Sequence, residues 1–200
     1  MKLTELRNIN KLYFGYEELA QALGIRLSSA RVAASRYVQQ GLLVRVKRNL
    51  YVLRETWNAA TREQKFSLAN LGQVPSYISL MTALDYFDVT TQIQREFYES
   101  IALRRTREIQ VESTVFRYTK ISEALYSGFR KEKGFFIAIP EKALLDAFYL
   151  MSYGRYDFDL SSLDRDRLDL ETLERLSRTF PQRTKTTLRK HGYLSAARSI

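Results

Sequence analysis

The chain has 200 residues, of which 32 are Lys or Arg and 22 are Asp or Glu, giving a formal net charge of +10 and a pI near 9.8. It has no cysteine and one histidine, His191, which excludes disulfides, thiolate metal sites and histidine-rich metal sites. The basic balance fits DNA, RNA or an acidic membrane surface as a partner. Residues 1–14 lack an apolar signal core and no apolar run reaches membrane-spanning length, so we expect a cytoplasmic protein without cofactor or metal.

Residues 1–54 predict a winged helix-turn-helix, in which a pair of helices is followed by a β-hairpin. A first amphipathic helix carries Leu3, Leu6, Ile9 and Leu12. The second helix begins near Tyr16 and ends at Gly24, because glycine readily takes the left-handed conformation that ends a helix. Ser28 or Ser29 is a good N-cap for the third helix, which runs to about Gln40. Its alanines allow the close helix crossing that this motif needs.

The third helix and the hairpin tip carry residue types that bind DNA. Arginine forks onto guanine, glutamine onto adenine, and serine reaches several groups. The strands Leu42–Val46 and Leu50–Leu53 present the tip, where Asn49 tolerates a positive φ angle. The alternative interpretations are that the cations of the hairpin are ordinary solvated charges and that the arginines of the third helix belong to a salt-bridged helix face. The predicted DNA-binding residues are Ser28, Ser29, Arg31, Val32, Ser35, Arg36, Gln39, Lys47, Arg48 and Asn49.

The positive charge is concentrated in this first part of the chain. Residues 1–54 contain ten Lys or Arg and three Glu, whereas residues 55–156 contain thirteen and twelve acids. An excess of positive charge within a segment that has a DNA-binding pattern indicates a nucleic-acid partner more specifically than a high pI of the whole chain does.

The remaining sequence predicts a helical connector over 55–75 and a mixed α/β domain over 76–200 that ends in helices. The fold class is therefore α+β. Proline at the first helical position is typical of a helix start, and Pro140 opens such a helix. The predicted elements are helix Thr61–Leu71, helix Ser79–Phe87, strands Glu96–Leu103, Ile109–Tyr118 and Phe135–Ile139, helix Glu141–Tyr149, and helices Asp169–Phe180 and Gln182–Lys190.

No catalytic site is predicted. Glu141 and Asp146 lie five residues apart on one helix, about 140° from each other, which is poor placement for a shared site. Lys142 and Asp146 form an ordinary ion pair at four residues' spacing. The sequence contains no ordered nuclease motif.

Two further basic clusters have alternative interpretations. Arg104, Arg105 and Arg107 are either a charged strand edge that blocks aggregation or a second nucleic-acid surface. The C-terminal cluster is either a solvated helix face or a clamp for a nucleic acid or an acidic partner. It consists of Arg178, Arg183, Lys185, Arg189 and Lys190.

Four segments together resemble the AbiE-type antitoxin family of bacterial transcriptional regulators. They are GLLVRVKRNLYVL of the hairpin, SYISLMTALDYFDV, TVFRYTKIS and IAIPEKALLDAFYL. The resemblance covers roughly residues 12–155, and IAIPEKALLD is its more specific part. The family commonly has glycine at the hairpin turn, where this chain has Asn49.

The resemblance implies an antitoxin of a type IV toxin–antitoxin pair. Such proteins repress their own operon by binding repeats in its promoter, and they oppose a nucleotidyltransferase-like toxin without forming a stable complex. The alternative is a winged-helix regulator whose second domain senses a ligand or binds a protein partner. An enzyme acting on nucleic acid is the least favoured interpretation. One chain does not define the oligomeric state.

Overall fold

The computed structural model describes residues 2–195, with side chains from residue 4 onward. Its first part consists of three helices and a hairpin. Helices α1, α2 and α3 span Lys2–Arg7, Tyr16–Leu23 and Leu27–Gln39. Strands β1 and β2 span Leu43–Lys47 and Leu50–Leu53 and pair antiparallel.

The turn between α2 and α3 is shorter than the sequence predicts. Gly24 ends α2 with a φ of 62°, as expected. Arg26 is already the N-cap of α3, and Leu27 is its first residue. The predicted N-cap at Ser28 or Ser29 is therefore wrong, because both serines lie inside the first helical turn. The predicted first helix is also too long, since α1 ends at Arg7.

A compact apolar cluster joins the three helices to one side of the hairpin. Leu6 of α1, Leu19 of α2 and Ala34 of α3 are fully buried in it. The small side chains of α3 let it cross α2 closely. Phe14, between α1 and α2, forms an antiparallel bridge with Tyr51 of β2. The hairpin is thereby hydrogen-bonded to the segment that leads into α2.

The second part is built on a six-stranded mixed sheet of order β5-β6-β4-β3-β8-β7. The pairs β4–β6 and β3–β8 are parallel, and the other neighbours are antiparallel. The strands are β3 Ser76–Ile78, β4 Phe97–Ala102, β5 Arg107–Val111, β6 Thr114–Lys120, β7 Phe129–Glu132 and β8 Phe135–Ala138.

Within the described part of the chain, six α-helices accompany this sheet. Helices α6 and α7 pack against each other, and α7 also contacts α8 and α9. Proline stands at the start of α7, as the sequence predicts. The helices are α4 Arg54–Asn58, α5 Arg62–Gly72, α6 Leu80–Tyr86, α7 Pro140–Ser152, α8 Leu170–Ser177 and α9 Gln182–Lys190.

Several strands of the sheet were not predicted correctly from the periodicity of the sequence. The predicted strand Ile109–Tyr118 is wrong as a single element, because a turn at Glu112, with a φ of 55°, divides it into β5 and β6. Strands β3 and β7 were not predicted. Strand β3 has three residues and pairs with strands that are distant in the sequence, and β7 has four residues and pairs with β8 across a tight turn. Neither strand is long enough for an alternation of apolar and polar residues to identify it.

Both faces of the hairpin contribute residues to a hydrophobic core. Leu43, Tyr51 and Leu53 pack into the helical cluster. The alternate residues of the same strands pack into the larger core of the sheet: Val44, Val46, Leu50 and Val52. All four residues of β2 are buried as a result. The hairpin therefore belongs to both hydrophobic cores.

Helix α5 lies in the segment that we predicted as a connector. Thr61 caps its start, accepting a hydrogen bond from the Gln64 backbone N–H. Phe66 and Leu68 are fully buried in the core of the sheet. Helix α5 thus contributes apolar side chains to that core as well as joining the hairpin to β3.

A charged pair is buried between β3 and α7. Lys142 and Asp146 form an ion pair with side-chain exposures of 1% and 0%. Asp146 also accepts hydrogen bonds from the hydroxyls of Tyr77 and Ser79, at 3.0 and 2.8 Å. Burial raises the pKa of the Asp146 carboxyl and lowers that of the Lys142 ammonium. The predicted ion pair exists, but it is fully buried, where each hydrogen-bond partner contributes more to stability than at the surface.

We expect Asp146→Ala to lower the free energy of unfolding by about 3–5 kcal/mol, because Lys142 would stay buried without its counter-ion. The double variant Lys142→Met/Asp146→Leu removes both charges and should be much less destabilised. Urea denaturation followed by circular dichroism measures both. Equal losses in the single and double variants would contradict an origin in the ion pair.

Candidate nucleic-acid interface

The outward face of α3 is exposed along its whole length. Every residue of it that we predicted to contact DNA is exposed, and the apolar side chain of Val32 is 70% exposed. Helix α3 contains no acidic residue. The face presents guanidinium, hydroxyl and amide groups around one methyl-bearing side chain. It consists of Ser28, Ser29, Arg31, Val32, Ser35, Arg36 and Gln39.

Two aromatic rings support the arginines of this face. The Arg31 guanidinium lies 5.6 Å from the centroid of the Tyr16 ring, and that of Arg36 lies 5.4 Å from the Tyr37 ring. Tyr37 is buried and Tyr16 begins α2. Both guanidinium groups stay on the surface while the rings limit their conformations. Less conformational entropy would be lost if these arginines bound a ligand.

Arg45 extends the surface beyond α3, although it is not among the residues that we predicted to bind DNA. It is exposed on β1, opposite Tyr51, and a shallow hollow there is also lined by Ser35 and Gln39 of α3. Strand alternation could have found it, because residues two apart share a face and Leu43 packs toward the helices.

Asn49 forms the hairpin turn with a φ of 58°, which confirms the predicted left-handed conformation. Its Oδ1 atom accepts a hydrogen bond from the Tyr16 backbone N–H at 2.6 Å. The tip is thus fixed to the start of α2, and Arg48 is exposed beside it. The amide oxygen of Asn49 has a structural partner within the protein.

Lys47 points away from the tip because β1 contains a bulge. The pairing register shifts between Arg45 and Lys47, which places Lys47 opposite Leu50, a residue of the sheet core. An extra residue of this kind turns the following side chain to the other face of the strand. Lys47 Nζ then donates to the Leu71 carbonyl oxygen at 2.5 Å.

Lys47 and the three arginines predicted as a second surface line one cleft. This basic cleft, of about 560 Å³, lies between the hairpin, the end of α5 and the loop after β4. Arg107 donates to the Gly72 carbonyl oxygen at 2.6 Å. Partial burial lowers the pKa of the Lys47 ammonium, and the charges of Arg107 and Arg104 lower it further. The cations of the basic cleft are Lys47, Arg104, Arg105 and Arg107.

The C-terminal cations do not share one continuous helix. Arg178 follows α8, and Pro181 precedes α9, so the common helical face that would unite residues 178, 185 and 189 is absent from this part of the structure. Arg183 lies over the Tyr153 ring at 5.2 Å. Arg189 donates to the Ser195 carbonyl oxygen at 3.1 Å.

A polar cleft of about 340 Å³ on the sheet contains a buried carboxyl group. Glu99 of β4 is 2% exposed and accepts a hydrogen bond from the Tyr156 hydroxyl at 2.7 Å. Burial raises the pKa of Glu99 to about 7, although Tyr156 and the charge of Arg117 oppose this. Within residues 2–195 no group of three acidic or histidine side chains could hold a metal ion. No helix in the same range is long and apolar enough to cross a membrane.

No family model and no curated protein matches the chain. Among solved structures it is similar to the crystal structure of the RV2827C protein from Mycobacterium tuberculosis, with a TM-score of 0.57 and 14% identity. The match covers 96% of this chain and 76% of that chain. At this identity the likeness describes the fold, and its coverage shows that it includes both the helical part and the sheet.

The raised pKa of Glu99 predicts a pH-dependent stability. Between pH 4.5 and about 7 the carboxyl ionises in the unfolded chain and stays protonated in the folded one, so the stability that it contributes at low pH is lost as the pH rises. We expect Glu99→Gln to remove this loss. Relative to wild type, the variant's free energy of unfolding should increase by about 3 kcal/mol between pH 4.5 and pH 8.

Denaturant titrations at several pH values measure this difference. Glu171→Gln, at an exposed position on α8, is the control that removes a carboxyl group from the surface. A pH-independent difference between Glu99→Gln and wild type would show that the carboxyl ionises alike in both states.

Proposed function

We propose that the chain binds double-stranded DNA sequence-specifically through an N-terminal winged helix-turn-helix. The observation that carries the proposal is the acid-free, exposed face of α3, held by α2 and flanked by the hairpin. The order of elements, with Phe14 bridged to the second strand of the hairpin, fits this motif. In it the second helix of the pair enters the major groove.

The exposed groups suggest a role for each part of the surface. Arg31, Arg36 and Gln39 read base edges, and Val32 contacts a thymine methyl group. Arg48, at the tip of the hairpin, binds a backbone phosphate, and Arg45 adds a cation between tip and helix. Lys47 has turned toward the sheet and is assigned to the basic cleft instead.

We further propose that the protein represses its own operon as the antitoxin of a type IV toxin–antitoxin pair, acting in the cytoplasm. Its DNA target would be repeats in its own promoter, and its toxin a nucleotidyltransferase-like protein that it opposes without a stable complex. This step is supported by the resemblance of the hairpin and the IAIPEKALLD segment to AbiE-type antitoxins. A nucleotidyltransferase-like gene directly beside this one would support it further.

A ligand-sensing regulator is the second candidate, and one feature favours it. An apolar cleft of about 470 Å³ lies between the segment before α2 and the β7–β8 edge of the sheet. Tyr13 lines it from the helical side, and Tyr126, Phe129 and Phe136 line it from the sheet side. Clefts of this size and character commonly hold small apolar molecules. A DNA affinity that changes with such a ligand would distinguish this candidate.

Fluorescence anisotropy with the DNA upstream of this protein's own gene tests the proposed function. We expect several hundredfold tighter binding to this DNA than to a shuffled duplex, and this preference should persist when the salt concentration is raised, because base contacts do not release counterions. Equal and steeply salt-dependent binding to both duplexes would overturn sequence-specific recognition.

Arg36→Ala and Arg48→Ala form a matched pair for the same assay. Arg36→Ala should cost about 1–3 kcal/mol on the native site and relax the preference at one base position. Arg48→Ala should weaken binding to all sequences alike and reduce the salt slope by about one. If Arg36→Ala left specific binding intact, α3 would not be the recognition helix.

A further inference from the structure

The basic cleft gathers four cations without a counter-ion. Lys47 comes from the hairpin, and Arg104, Arg105 and Arg107 come from the loop and strand after β4. Among the described residues, no acidic side chain lines it. Elsewhere on the surface, arginines such as Arg54 and Arg117 are paired with glutamates. The positive charge in the cleft is therefore concentrated and uncompensated.

The carbonyl groups at the end of α5 hold two of these cations in place. Lys47 binds the Leu71 carbonyl and Arg107 binds that of Gly72. Arg107 also lies over the Tyr118 ring, 5.7 Å from its centroid, and its buried Nε atom has no hydrogen-bond partner. Neutral carbonyl dipoles orient the side chains but leave their full charges in place.

A buried polar residue completes the wall of the cleft. Gln73 is 4% exposed, and its Nε2 atom donates to the Arg105 carbonyl oxygen at 2.8 Å. This bond fixes the loop that carries Arg104 and Arg105. Backbone carbonyl groups of two segments therefore hold the side chains and the loop of the basic cleft in place. In this respect the cleft differs from a set of mobile surface charges.

We propose that the basic cleft is a phosphate-binding site that joins the hairpin to the sheet. Arginine forks and a lysine ammonium match the several acceptor oxygens and multiple negative charge of a phosphate. The phosphate belongs either to the DNA backbone or to a small phosphorylated molecule. The site itself is independent of the proposed function, and only the DNA source rests on it.

A bound phosphate would have a mechanical consequence. Lys47 is part of the strand that ends at the DNA-contacting tip, and the arginines belong to the sheet. Bridging them would relieve the mutual repulsion of the cations and strengthen the contact between hairpin and sheet. The ligand would therefore stabilise the folded chain by mass action.

Isothermal titration calorimetry of the full chain with inorganic pyrophosphate at low salt tests the site. The test variant is Arg104→Gln/Arg105→Gln, because both positions are exposed and tolerate substitution. The control, Arg95→Gln/Arg155→Gln, removes the same charge at exposed positions elsewhere. We expect at least a tenfold loss of pyrophosphate affinity in the test variant and less than a twofold change in the control.

The salt dependence of DNA binding, measured with the same variants, identifies the source. If DNA phosphates occupy the cleft, the test variant should reduce the salt slope by about two, and pyrophosphate should compete with DNA. If a small molecule occupies it, the slope should be unchanged and both ligands should bind together. Absence of pyrophosphate binding with an unchanged slope would overturn the proposal, whereas failure of the proposed function alone would leave the calorimetric result intact.

Discussion

The hairpin held between two hydrophobic cores is the constraint on which the rest of the structure depends. Alternate residues of β2 pack against the helices and against the sheet, so no face of that strand is left to solvent. The tip is fixed by Asn49 to the start of α2. The exposed face of α3 is thereby set in one orientation relative to the sheet, the basic cleft and the apolar cleft.

Local signals in the sequence were sufficient for the helix pair and the hairpin. Gly24 marks the end of α2, the β-branched and leucine-rich runs at 42–46 and 50–53 mark two strands, and Asn49 marks their turn. Each of these depends on a conformational preference of a few neighbouring residues. The same is true of the exposed face of α3, because helical periodicity alone separates its alanines from its arginines.

Features that depend on distant pairing could not be predicted in this way. The bulge before Lys47 turns the side chain of this lysine to the other face of the strand, although the sequence VRVKRN does not differ from that of a regular strand. The ion pair of Lys142 and Asp146 has the spacing of a surface pair, and only the packing of the folded chain around α7, Tyr77 included, makes it a buried one. Glu99 likewise gives no sign in sequence that the sheet will enclose it.

Sharing the hairpin also removes the modularity that proteins with two hydrophobic cores often have. A cut after residue 54 would leave Val44, Val46, Leu50 and Val52 facing water on one fragment and the matching core of the sheet exposed on the other. Neither part could be transferred into a related protein unless the residues of that shared surface were changed as well. Substitutions on the hairpin must satisfy two neighbours at once, which ties the evolution of the α3 surface to that of the sheet.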